Sequence, residues 1–159
     1  RLAAQTDRLI INSNGDPGGV DHPVIADAPA SRLDGPFRAL ETALSVFAAN
    51  ADATHLLHVP TDTPFLPPDL VQRLSERDAP AAFPRTGARS HPVICLWTRA
   101  GALMAEKRLA AYAGERLDRF IESCGGLPVA FDANIDIDAF LNINTPADLA
   151  AARAHLPRS

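Results

Sequence analysis

The stretch His55-Leu56-Leu57-His58-Val59-Pro60-Thr61-Asp62-Thr63-Pro64-Phe65-Leu66-Pro67-Pro68-Asp69-Leu70 decides how the chain is read. Leu56, Leu57 and Val59 form a short apolar run of β-forming residues, the mark of a buried strand. Pro60 ends it, because proline cannot donate to a sheet ladder. Pro67 and Pro68 then open a helix, which proline tolerates in its first turn, and Asp69 suits its positive end. Asp62 is therefore held on a stiff loop at the carboxyl end of a strand, the edge where ligands bind in open α/β sheets. A carboxylate there is placed to bind Mg²⁺ carrying a nucleotide's phosphates. The same residue types also make an ordinary turn in which Asp only caps the chain.

Other segments repeat the pattern on either side. Leu9-Ile10-Ile11-Asn12 reads as a strand that exits at Asn12, whose amide offers a donor and an acceptor to a base or ribose, or to its own turn. Residues 23–26 read as a second strand, with a carboxylate, Asp27, again at the exit. Phe37, Leu40, Leu44 and Phe47 recur at helical period and predict a core-facing helix over 37–49. Further helices are expected over 68–77, 103–113 and 117–124. Further strands are expected over 81–83, 93–97, 128–131 and 140–144. Thr145-Pro146-Ala147-Asp148 is a helix start, with Thr as N-cap, Pro at the first position and Asp in the first turn. Between the strands at 81–83 and 93–97, Arg85, Arg89 and His91 gather beside Gly87. That loop suits an anionic substrate, and equally a solvated hairpin tip.

Strands alternating with helices predict an α/β fold with a mainly parallel sheet flanked by helices, as a single domain over 1–159. The formal charge is −4 and Lys107 is the only lysine, which argues against a non-specific nucleic-acid binder. No apolar run reaches membrane-spanning length. Cys95 and Cys124 each sit in an apolar segment and read as buried free thiols, with a reducing compartment as the corollary.

Four segments together, Ile10-Ile11-Asn12-Ser13-Asn14, Val24-Ile25-Ala26-Asp27, the proline-framed Asp62 stretch, and Leu141-Asn142-Ile143-Asn144-Thr145-Pro146-Ala147-Asp148-Leu149, resemble the molybdenum cofactor guanylyltransferases. The likeness covers essentially the whole chain, and His91-Pro92 before a strand also fits. It implies a Rossmann-like nucleotidyltransferase fold and a Mg²⁺-dependent, cytoplasmic enzyme that joins GMP from GTP to the terminal phosphate of molybdopterin, releasing pyrophosphate. By the same resemblance Asp62 binds Mg²⁺ and GTP, and Asn12 and Asp27 contact guanosine. Arg89, His91, Arg116, Asn142 and Asn144 face molybdopterin. An accessory GTP-binding protein and acceptor molybdoenzymes are the implied partners, with no nucleic acid and no membrane.

Two departures stand out. The family opens with a strand and a Gly-rich loop of the form Leu-Ala-Gly-Gly-x-x-x-Arg-Met-Gly, followed by a lysine, and nothing in these residues matches it. Residues 1–5 read as the last turns of a helix, so a preceding strand–loop–helix of roughly 40–50 residues is expected, its N–H groups cradling the triphosphate. Three residues past Pro36, Ala39 stands where the family often has glycine. Alternatives are a related nucleotidyltransferase using CTP or another acceptor, and a non-catalytic nucleotide-binding module.

Overall fold

The computed structural model describes residues 1–132 and 139–154. A single 3₁₀ turn, Leu2–Ala4, opens the chain, where the sequence suggested the end of an α-helix. Strands β1 (Ile11–Asn12) and β2 (Val24–Ile25) pair in parallel as a two-stranded sheet, Asn12 opposite Ile25. Helix α1 (Pro36–Ala48) follows, with proline in its first turn, and packs against β1 and against strand β3 (His55–His58). Helix α2 (Leu70–Ser75) leads to β4 (Ala81–Thr86), β5 (Arg89–Ser90) and β6 (Cys95–Thr98). Helices α3 (Arg99–Leu109) and α4 (Leu117–Ser123), strand β7 (Gly126–Phe131) and helix α5 (Pro146–Ala154) complete the order. No helix among the described residues is long and apolar enough to cross a membrane.

The five-stranded sheet is mixed, not mainly parallel. β6 runs antiparallel to both β3 and β4, while β4 and β7 are parallel. The reason lies in the connection. Only the β4–β5 hairpin and a short loop separate β4 from β6, and a parallel neighbour needs a crossover of a dozen residues or more. Two strands antiparallel to the same neighbour run the same way, so β3, β4 and β7 all point their carboxyl ends at one rim. The hairpin turns at Gly87, whose φ of +54° suits the first central position of a tight two-residue loop.

Alternation along the strands divides the core into two faces. Ala81, Phe83, Cys95 and Trp97 meet α1, α3 and α4 through Phe37, Leu44, Ala105 and Phe120. Ala82 and Leu96 turn the other way, to Leu66, Leu70, Leu74, Phe131 and Phe140. Both cysteines are free and buried inside the first cluster, as their apolar segments implied.

Residues 140–144 are not a strand. The apolar–amide alternation is real, with Phe140 fully buried, but among the described residues no ladder forms, and Ile143 N–H donates to the Asp62 carbonyl at 2.8 Å. The helix start after it is as expected: Asp148 N–H donates to Thr145 Oγ1 at 3.1 Å, and Asp148 Oδ2 accepts from the Asn144 and Thr145 N–H groups at 3.1 and 2.9 Å. At α2 the expected helper is different. Asp69 makes no side-chain cap, and Gln5 Oε1 accepts the Val71 N–H instead, at 3.1 Å.

Candidate functional site

Asp62 follows β3 at the rim shared by β3, β4 and β7. Its loop is stiffened by Thr63, a buried residue whose hydroxyl donates to the Pro60 carbonyl at 3.1 Å, and is anchored by buried Phe65 and Leu66. Among the described residues the Asp62 side chain caps nothing, and its Oδ1 is buried with no hydrogen-bond partner. A buried carboxylate oxygen left bare is costly, and a cation or a hydrogen-bond donor would satisfy it. Asn142 and Asn144 flank Ile143, so the Ile143-to-Asp62 bond brings both amides to the same loop.

A cavity of about 90 Å³ opens beside this loop, lined by Pro60, Arg89, Ser90, His91, Ile94 and Asn142 among others. His91 is buried beneath the hairpin. Its backbone N–H donates to the Pro84 carbonyl at 2.9 Å, its ring Nε2 lies 2.8 Å from the Thr86 hydroxyl, and the ring stacks on Phe140 with centroids 4.7 Å apart. Arg89 is exposed on β5 at the same mouth. The basic loop is thus both a hairpin tip and a cavity wall.

The second group sits where β1 and β2 end. Asn12 Nδ2 donates to the Ile25 carbonyl at 3.3 Å, which ties its amide to the neighbouring strand. Asp27 is held on both oxygens: Oδ2 accepts from Asn14 Nδ2 at 2.8 Å, and Oδ1 lies 3.1 Å from the Thr42 hydroxyl of α1. That hydroxyl has one proton and also faces the Arg38 carbonyl at 3.2 Å, so the donation is shared. Arg38 Nε stands 3.7 Å from Asp27 Oδ2. The Asn14 hydrogen bond, above all, holds the Asp27 carboxyl below the ordinary carboxylate value, with Asn12, Thr42 and Arg38 acting the same way and burial opposing them.

Of the residues singled out from sequence, Asn12 and Asp27 come together at one exit, and Asp62, Arg89, His91, Asn142 and Asn144 at the other. Arg116 joins neither in its described contacts. It is exposed at the start of α4, with its guanidinium forked onto Asp118 at 3.1 Å. Thr63, Thr86, Thr42 and Asn14 were missed as site residues. The first three are hydroxyls whose role depends on partners folded against them, whereas Asn14 stood inside a quoted segment.

The chain matches the model of the MobA-like NTP transferase domain over residues 1–127. It is 39% identical to the molybdenum cofactor guanylyltransferase of Rhodopseudomonas palustris (strain BisB5), over 96% of this chain and 75% of that one. Among solved structures, the molybdopterin-guanine dinucleotide biosynthesis protein A of Archaeoglobus fulgidus superposes with a TM-score of 0.60 at 19% identity, covering 85% of this chain and 68% of that one. The 2-C-methyl-D-erythritol 4-phosphate cytidylyltransferase of Thermus thermophilus superposes at 0.60 and 15% identity, covering 98% and 87%. At such identities the two structures attest the Rossmann-like nucleotidyltransferase fold.

Proposed function

This chain belongs to the molybdenum cofactor guanylyltransferases, nucleotidyltransferases of the MobA-like family, and we propose that it transfers GMP from GTP to the terminal phosphate of molybdopterin with release of pyrophosphate. The observation that carries the reading is Asp62, an acidic side chain at the carboxyl-end rim of the sheet, with one buried oxygen that has no hydrogen-bond partner among the described residues.

A divalent cation fits that oxygen. Among the described residues no cluster of three or more His, Cys, Asp or Glu side chains stands ready to cage a metal. Asp62 is the residue that would hold Mg²⁺ there, through its unpartnered oxygen. When bound, it supplies charge neutralisation to the phosphates. The other tasks fall to the chain. Asp27, ionised and acceptor-only, suits the paired N1–H and N2–H donors of guanine, with Asn12 beside it. Arg89 and His91 offset the repulsion between the acceptor phosphate and the triphosphate, and Asn142 and Asn144 orient the acceptor. The acceptor phosphate is already anionic at neutral pH, so the transfer needs positioning and no dedicated base. We place the enzyme in the cytoplasm, handing its product to molybdoenzymes with an accessory GTP-binding protein as a candidate helper.

The test is pyrophosphate release by the complete protein with Mg²⁺, molybdopterin and either GTP or CTP, beside thermal shift with each nucleotide. Release with GTP alone, and protection by GTP alone, is expected. Release with CTP overturns the base assignment, and GTP protection with no release overturns the transferase reading in favour of a binding module.

A further inference from the structure

Asp27 is gripped more tightly than a turn needs. Asn14 reaches back from the loop after β1 and binds it twice: Nδ2 donates to the Asp27 carboxylate at 2.8 Å, and Oδ1 accepts the Asp27 backbone N–H at 2.9 Å. Only this amide orientation works. The flipped form sets oxygen against carboxylate oxygen and an NH₂ against an N–H. Thr42 meets the other carboxylate oxygen from α1, and Arg38 anchors the loop that follows by donating from Nη2 to the Ala28 carbonyl at 3.3 Å. Asp27 is thereby fixed in rotamer while each oxygen retains acceptor capacity.

We propose that Asn14 is a positioning residue for nucleotide selection, its two-point clamp aiming the Asp27 carboxylate at the donor edge of guanine. This rests on Asp27 being the base contact, as set out above. A free carboxylate rotates and costs ordering entropy on binding, whereas a clamped one presents its lone pairs in advance. The clamp also works electrostatically. Asn14 is the largest influence keeping Asp27 ionised, and the one charged group acting on Asp27 among the described residues is Arg38. Losing the amide moves the Asp27 carboxyl toward its ordinary value, and a protonated carboxyl no longer matches two adjacent donors.

The experiment compares the complete wild-type protein with Asn14→Ala, Asn14→Asp and Asp27→Asn, measuring affinity for GTP and ITP across pH and the split between KM and kcat. ITP keeps the guanine N1–H and lacks the 2-amino group, so the GTP/ITP ratio reads alignment at the base edge. Asn14 is exposed, so the alanine variant is expected to fold. Asn14→Asp keeps the size and the acceptor while setting a negative oxygen against Asp27, and gives the answer independently. For both Asn14 variants we expect GTP affinity to fall about tenfold or more, the value of a charge-assisted hydrogen bond. The GTP/ITP ratio should narrow and the acid limb of GTP affinity should move to higher pH, with kcat at saturating GTP little changed. Weaker binding with an unchanged ratio and an unmoved acid limb overturns the positioning role. If Asp27→Asn leaves both affinity and ratio unchanged, the base-contact reading falls and takes this one with it. If Asp27→Asn removes the selectivity and the Asn14 variants keep it, only the clamp is refuted.

Discussion

Thr63→Val tests whether the loop that carries Asp62 is fixed by the bond described for it. The substitution keeps side-chain volume and replaces a buried hydroxyl by a methyl. It removes the Thr63 donation to the Pro60 carbonyl at 3.1 Å and leaves that carbonyl without its hydroxyl partner in a largely closed loop. The loss combines a net hydrogen bond with the cost of an unpaired acceptor, about 1–3 kcal/mol together. For a chain of this size that is a fall in melting temperature of roughly 3–10 °C. The functional loss is expected to be larger than the stability loss suggests, because the released loop carries Asp62. A displacement on the order of 1 Å at a reacting centre costs about a hundredfold in rate. Thr63→Ser keeps the hydroxyl and gives up only a methyl, so it should hold transfer activity near wild type while melting slightly lower. The assay is pyrophosphate release beside thermal melting for all three proteins, at a temperature where each is folded. If valine and serine variants transfer at the same rate, the Thr63 bond does not position Asp62.

Three further perturbations read other parts of the fold. In Gly101→Ala the new Cβ falls 1.9 Å from the Pro80 carbonyl oxygen, which is itself pinned by the Thr98 N–H and hydroxyl at 3.0 and 3.1 Å; a loss of about 3 kcal/mol or more is expected. A melting temperature equal to wild type contradicts that packing. Burial pushes His58 below its ordinary value, against a backbone bond at Val93 that acts the other way, so folding favours the neutral ring. Its contribution is complete above the unfolded value near ~6.5 and is lost as pH falls from there through the lower folded value, so the denaturation midpoint should drop toward pH ~5.5 in wild type and less in His58→Gln. Burial likewise pushes the Cys95 and Cys124 thiols up, so a thiol reagent should leave both unmodified in the native protein and label both after unfolding. Rapid native labelling refutes their burial.

Local chemistry made much of this protein legible in its sequence. Pro60 and Pro64 framed the Asp62 loop, the Phe37-to-Phe47 spacing marked α1, and Thr145 with Asp148 announced α5. Pairing directions were less visible, because a strand's own residues do not say which way its neighbour runs. Even so, the short run from Ala81 to Trp97 without a helix already demanded an antiparallel return, and the expectation of a mainly parallel sheet overlooked it. Residues 140–144 carried a strand's alternation, but Ile143 pairs with the Asp62 carbonyl and no ladder forms among the described residues. The cap on α2 was hidden for a different reason, since Gln5 lies far away in sequence and only the fold delivers it to Val71. At the site, the acids and amides stood out as residue types. The hydroxyls that hold them, Thr42, Thr63 and Thr86, became recognisable only through their partners.

The central claim is that Asp62 grips a divalent cation for a nucleoside triphosphate. Its most direct test is calorimetric titration of GTP into the complete protein with and without Mg²⁺, for wild type and for Asp62→Asn, which keeps the shape and removes the charge. Wild type should bind GTP more tightly with Mg²⁺ by about tenfold or more, and the variant should lose that gain. An Asp62→Asn protein that responds to Mg²⁺ as strongly as wild type contradicts the account.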